Sequence, residues 1–306
     1  MDETATPAIS GTTRLFAVVG DPVAQVKAPS LLNPLFARLG LDAVLFPVHA
    51  EPRHFAHVIT GLQRTTNVDG LLITVPHKIR ACAFADELGH SAALSGSANA
   101  MRRDGDGRWR AENFDGRGFV AGLSARGHAP KGKVVRLSGA GGAGRAIAAA
   151  VLEAEAAHLL VHDPDRAKRE VLRGRLEEHW PGRVTVLDSA DGAPGCDIAV
   201  NATPLGMRPA DPLPFDPKSL GEGTLVADIV MEPRDTPLLL AASARGLPTH
   251  RGHHMLDHQL SLYRTFFGLR RETSAGGGGG GRGGGGGGAP GGGGARAPGG
   301  PPARAP

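Results

Sequence analysis

Apolar residues come in short runs and helical stripes along this chain. From Leu15 to Val19 the residues are apolar and end at Gly20-Asp21-Pro22, which predicts a strand delivered into a tight loop. Residues 30–39 place Leu31, Leu32, Leu35 and Phe36 on one helical face, and Gly40 stops the helix. Residues 43–48 predict the next strand, 54–63 a helix and 70–75 a buried strand. Strands that alternate with helices predict a parallel sheet covered on its faces.

A second unit begins near Gly116, where a helix from Phe119 leads through Gly127 and Pro130 into a strand over 133–137. The order then repeats: helix 145–156, strand 158–162, helix 166–179, strand 183–187, and strands near Ile198 and over 225–229. That succession predicts a Rossmann, doubly wound parallel sheet. A last helix over 255–267 has no strand after it and can pack on either unit. The expected architecture is α/β in two domains: an N-terminal α/β domain over 12–115, completed by the helix at 253–271, and a Rossmann domain over 116–252.

Composition changes this picture in one place. Of the 306 residues, those after Ser274 are Gly, Ala, Pro and Arg, which bury too little apolar surface to offset chain entropy. Residues 274–306 are therefore expected to be a disordered tail. Its three arginines, Arg282, Arg296 and Arg304, account for most of the formal charge of +4 and leave +1 for the rest. No nucleic-acid partner is expected from so small a balance. Cys82 and Cys196 are the only cysteines, without the spacing of a metal site or disulfide framework, which points to a reducing cytoplasm. No signal-peptide core or membrane-length apolar run is present, so a soluble monomer or homodimer is expected.

The candidate chemistry starts at the strand Val134-Val135-Arg136-Leu137, which runs into Gly139-Ala140-Gly141-Gly142-Ala143-Gly144 and a helical run. Strand, glycine loop and helix in this order form a dinucleotide site. Gly139 permits the turn, Gly141 lets backbone N–H groups approach a diphosphate, and Gly144 allows close helix–strand packing. Gly142 and Ala143 complete the loop. After the next strand comes Asp163, placed to receive a ribose 2′-hydroxyl, and its carboxylate favours NAD over NADP. Arg166 and Lys168 lie close enough to serve NADP if the loop folds differently.

Three earlier segments, Thr74-Val75-Pro76-His77-Lys78, Gly96-Ser97-Ala98-Asn99 and Asn113-Phe114-Asp115-Gly116, precede this loop. Later come Asn201-Ala202-Thr203-Pro204-Leu205-Gly206-Met207, Thr236-Pro237-Leu238, and Gly252 followed by Met255-Leu256 and Gln259. In this unbroken order, from about Phe16 to Gly268, the chain resembles the shikimate and quinate dehydrogenase family. The resemblance implies that Lys78 and Asp115 are the catalytic pair, and that Thr74, Asn99 and Gln259 hold ring hydroxyls of a small cyclic polyol or hydroxy acid. It extends the cofactor set to Ile229 and Gly252. A lysine tuned by its surroundings can take the proton that must leave when hydride moves from an alcohol to nicotinamide. No metal is expected in such chemistry, and His77, His253 and His254 read as packing or surface residues.

The chain departs from the family where the substrate carboxylate would sit. Val26 and Ala28 replace two serines, Met231 replaces a tyrosine, and Phe114 replaces a threonine. The resemblance therefore implies a substrate that lacks the carboxylate or binds it through Lys27 or Gln25. Two other readings keep the fold: a folate-type dehydrogenase, against which the Asn113–Asp115 segment argues, and a non-catalytic metabolite sensor.

Overall fold

The alternation along the first strand becomes the two faces of a sheet. In a computed structural model that describes residues 9–191 and 195–271, β1 (Arg14–Gly20) lies between β2 (Ala43–His49) and β3 (Val68–Ile73), parallel to both. The expected tail lies outside the described residues. Phe16 and Val18 join Leu32, Leu35 and Phe36 of α1 (Ala28–Leu39) on one side. Ala17 and Val19 join Phe55 and Ile59 of α2 (Phe55–Arg64) on the other. Both faces are buried, which is why the strand reads as continuously apolar.

The expectation of a wholly parallel first sheet is corrected beyond β3. The chain passes through α3 (Lys78–Ala81), β4 (Glu87–Leu88) and α4 (His90–Ser95) to β5 (Ala100–Arg103) and β6 (Trp109–Glu112). β5 runs antiparallel to β3 and β6, giving the order β2-β1-β3-β5-β6-β4. β5 and β6 are joined by a short turn through Gly105 and Gly107, and so short a connection can only join antiparallel strands.

α5 (Asp115–Ala125) starts four residues before the expected Phe119. Gly116 suits a loop in sequence terms, yet in the fold it is the contact with α6 (Gly142–Glu153): a Cβ there would lie 2.1 Å from Ala146 O. Close packing on α6 thus fixes the end of α5 that carries Asp115.

The second sheet contains β7 (Val134–Ser138), β8 (His158–His162), β9 (Val184–Val186), β10 (Ile198–Asn201), β11 (Leu225–Asp228) and β12 (Thr249–His250). Their order, β12-β11-β10-β7-β8-β9, is parallel throughout. The chain starts in the middle, builds outward to β9 and returns to β10, so a crevice opens between β7 and β10 where such sheets bind ligands. Alongside α6, α7 (Arg166–Glu177) contributes Leu172 and Leu176 to the same core as Val135, Leu137, Ile198 and Val200. The opposite face is covered by α8 (Pro237–Ala244), a helix the sequence reading did not identify. The final helix, α9 (His253–Phe266), carries Met255 into the second sheet's core and Tyr263 into the first's. It joins the two sheets rather than choosing one. Among the described residues no helix is long and apolar enough to cross a membrane.

Candidate functional site

Lys78 opens α3 after the short loop that follows β3, and Asp115 opens α5 after the short link that follows β6. These two helix starts meet. Lys78 Nζ donates to Asp115 Oδ2 at 2.5 Å, with the side chains only 12% and 3% exposed, which makes this a buried, charge-assisted pair. The other carboxylate oxygen, Asp115 Oδ1, accepts from Asn99 Nδ2 at 2.9 Å and Gln259 Nε2 at 3.1 Å. Four of the five residues expected around the substrate are therefore in one hydrogen-bonded group. Thr74 is the exception: it sits half-buried after β3, where its backbone bonds Val19 O and its methyl crowds Gly20.

Three residues absent from the expected set complete the arrangement. Asn113 Oδ1 accepts the Asp115 N–H at 2.9 Å, while its Nδ2 donates to Ser97 Oγ at 2.9 Å. Ser97 Oγ in turn donates to Gly142 O at 2.8 Å, so one chain of bonds runs from the Asp115 backbone N–H to the glycine loop. Tyr263 is the third addition. Its hydroxyl donates to Gln259 Oε1 at 2.8 Å and accepts from Asn99 Nδ2 at 3.0 Å. Burial, then the Asp115 charge, pushes its pKa well above the ordinary phenol value, so it remains protonated. On α9, Tyr263 stands one turn after Gln259, and that spacing was the sequence signal that could have identified it.

The glycine loop has the shape of a diphosphate cradle. Gly139 has φ +108, and a Cβ there would lie 2.8 Å from the Ala202 carbonyl; a Cβ on Gly144 would lie 1.9 Å from Gly139 O. Gly141 faces open space instead, and as N-cap of α6 it leaves the first-turn N–H groups without a side-chain acceptor. Unfilled donors, a helix N-terminus and room for a ligand fit the diphosphate of a dinucleotide.

Asp163 follows β8 and is buried against this loop. One carboxylate oxygen accepts the Ala140 N–H at 2.8 Å and the other the Asp165 N–H at 2.9 Å. Asp165 caps α7 by accepting from Ala167 N and Lys168 N. Two carboxylates therefore stand where the strand ends. Ile229 leaves β11 with its N–H on Asn201 O, and a Cβ on Gly252 would lie 2.5 Å from Val230 O, so both line a closely packed rim of the second sheet. This rim is held by Asp228, whose carboxylate accepts from Asn201 Nδ2 and the Thr236 hydroxyl and whose pKa is raised by burial.

The four positions that lack hydroxyls do not fall together. Val26, Ala28 and Phe114 share the apolar cluster that contains Tyr263, whereas Met231 packs on the second sheet's core. Lys27 Nζ is paired with Glu232 at 2.9 Å, and Gln25 Nε2 donates to Pro22 O at 2.9 Å. Of the histidines, His77 is buried, stacked on Phe55 at 4.2 Å and bonded to Ala50 O, which agrees with a packing role. His253 and His254 lie beside Asp257, whose carboxylate comes within 3.9 Å of His254 Nδ1. The three potential ligand atoms all lie within 4.8 Å of one another, and the 3.9 Å between His254 Nδ1 and Asp257 Oδ2 is wider than the roughly 3.3 Å between donors bound to one zinc ion. Arg126, Arg234 and Arg251 add positive charge around them.

This geometry has counterparts among known proteins. The family model for the shikimate dehydrogenase substrate binding domain matches residues 18–101. The shikimate dehydrogenase (NADP(+)) of Rubrobacter xylanophilus is 39% identical, over 83% of this chain and 90% of its own. Among solved structures, the shikimate 5-dehydrogenase of Thermus thermophilus in complex with NADP(H) and shikimate has a TM-score of 0.73 and 28% identity, covering 85% of this chain and 95% of that one. The ligand-free 5-ketofructose reductase of a Gluconobacter strain has a TM-score of 0.72 and 29% identity, covering 86% and 95%.

Proposed function

The chain belongs to the shikimate dehydrogenase family, and on that premise we propose that it reversibly oxidises a ring hydroxyl of shikimate, quinate or a related cyclic polyol with NAD(P). The buried Lys78–Asp115 pair beside an open glycine loop is the observation that carries this reading. When bound, the nicotinamide supplies the hydride acceptor. Lys78 Nζ, as the neutral amine, takes the hydroxyl proton in oxidation and as the ammonium returns it in reduction, while Asp115 holds the lysine in place and Asn99 and Gln259 hold the carboxylate. In this reading residues 12–115 with 253–271 form the substrate half and 116–252 the cofactor half.

Within the cofactor half, Gly139, Gly141, Gly142, Ala143 and Gly144 receive the diphosphate, and Ile229 and Gly252 border the nicotinamide. Asp163 receives the ribose. The preference for NAD rests on Asp163 and Asp165, whose charges would both repel a 2′-phosphate. Relatives bear NADP(+) in their names, so direct comparison of the two nucleotides is needed here.

Retention of the proton-handling pair favours turnover over ligand sensing. Initial rates with shikimate, quinate and uncharged ring polyols, each with NAD and NADP, test the proposal. Turnover that Lys78→Ala abolishes while nucleotide binding persists is expected; a wild type that binds nucleotide and turns over none of the panel would refute it.

A further inference from the structure

The hydrogen-bonded group around Asp115 is closed on one side by a phenol. Asn99 spends one amide proton on Asp115 Oδ1 and the other on Tyr263, and its carbonyl oxygen accepts the Phe114 N–H at 2.9 Å. Both its N–H groups are committed before any ligand arrives. Gln259 uses one N–H on Asp115 and its oxygen on Tyr263, which leaves one N–H for a ligand.

Beyond the Tyr263 hydroxyl the surroundings turn apolar. Phe114 meets the Tyr263 ring edge to face at 5.5 Å, and Phe266 packs on Phe114 from another side. A small pocket lined by Ala28, Leu31, Leu32, Leu256, Leu260 and Tyr263 continues this wall. The two lysines of these segments are taken: Lys78 by Asp115 and Lys27 by Glu232. A polar end with one free amide donor therefore adjoins an apolar wall on which an anion would lose its hydration without gaining a partner.

We propose that the substrate is a cyclic polyol whose substituent facing Tyr263, Phe114 and Ala28 is uncharged, and that Tyr263 sets this preference. The inference rests on the dehydrogenase reading above and narrows its substrate class. Tyr263 acts in two ways: its ring forms the wall, and its hydroxyl withdraws an Asn99 N–H that would otherwise serve an anionic oxygen.

The test compares shikimate with two analogues in which the carboxylate is replaced by hydroxymethyl or carboxamide, using the full chain and each nucleotide. The uncharged analogues should show kcat/KM higher by roughly tenfold to hundredfold, the equivalent of one missing charged hydrogen bond. Tyr263→Phe, which frees the Asn99 N–H but keeps the ring, should narrow that ratio through KM for shikimate. Ala28→Ser, which adds a donor to the wall, should narrow it as well. A kcat/KM for shikimate equal to or above those of the analogues would overturn the inference and leave the dehydrogenase reading standing. Absence of turnover with every ring polyol and both nucleotides would overturn that reading and the inference with it. A ratio unmoved by Tyr263→Phe would remove Tyr263 from the explanation.

Discussion

Gly142 faces the side chain of Lys78 so closely that a Cβ on the glycine would lie 2.5 Å from the lysine Cβ. The residue that opens the helix under the cofactor loop is thus packed on the residue assigned to proton transfer. Gly142→Ala should displace Lys78 from Asp115 and lower kcat by about tenfold to a hundredfold, because small misplacements of a catalytic group are costly. Steady-state kinetics checks this, and an unchanged kcat would separate the loop from the lysine.

Gly144 meets a stricter limit, since the nearest atom to its missing Cβ is backbone: Gly139 O at 1.9 Å. Gly144→Ala must push α6 away from the end of β7. Overpacking of this kind costs about 1–3 kcal/mol, so the melting temperature should fall and nucleotide affinity should fall with it. Calorimetry and fluorescence titration would report both; a protein of undiminished affinity would contradict the cradle geometry.

Much of the site was legible in the sequence because its demands are local. The glycine loop sits between a strand and a helix that any apolar pattern reveals, and Lys78, Asn99 and Asp115 lie in short segments of distinctive composition. What escaped depends on distant neighbours. β5 carries Arg102 and Arg103, so its four residues offer no strand-like alternation, and its direction follows from the turn to β6. The start of α5 is rich in glycine for a reason visible only once α6 and α9 are beside it. Tyr263 reads as one more apolar residue of a helical stripe until Asn99, 164 residues earlier, is found at its hydroxyl.

Asp163 and Asp165 carry the nucleotide preference. Asp163→Ser removes one of two charges from the end of β8 while a hydroxyl can still accept the Ala140 N–H. The ratio of kcat/KM for NAD to that for NADP should fall by about tenfold or more, one charge contact being of that order. A ratio that does not move would relocate the ribose.

His250 predicts an acid limb in stability. Burial, followed by the charges of His254, His128, Arg126 and His253, lowers its pKa from 6.5 to about 4, and its Nε2 has no hydrogen-bond partner among the described residues. The unfolded chain therefore binds a proton near pH 6.5 that the folded chain refuses until about pH 4. Stability is lost as pH falls through this window, by roughly 3 kcal/mol at its end. Urea unfolding between these limits should show the slope, and His250→Phe should flatten it; equal slopes would assign the effect to other groups.

The central claim is that Lys78 and Asp115 move the proton when hydride leaves a ring hydroxyl. Its most direct measurement is the rate of nicotinamide reduction by wild type and Lys78→Met on one polyol panel, with nucleotide affinity measured alongside. A fall in kcat of about a hundredfold to ten-thousandfold at nearly unchanged nucleotide affinity is the predicted result. A Lys78→Met enzyme that turns over at the wild-type rate would contradict it.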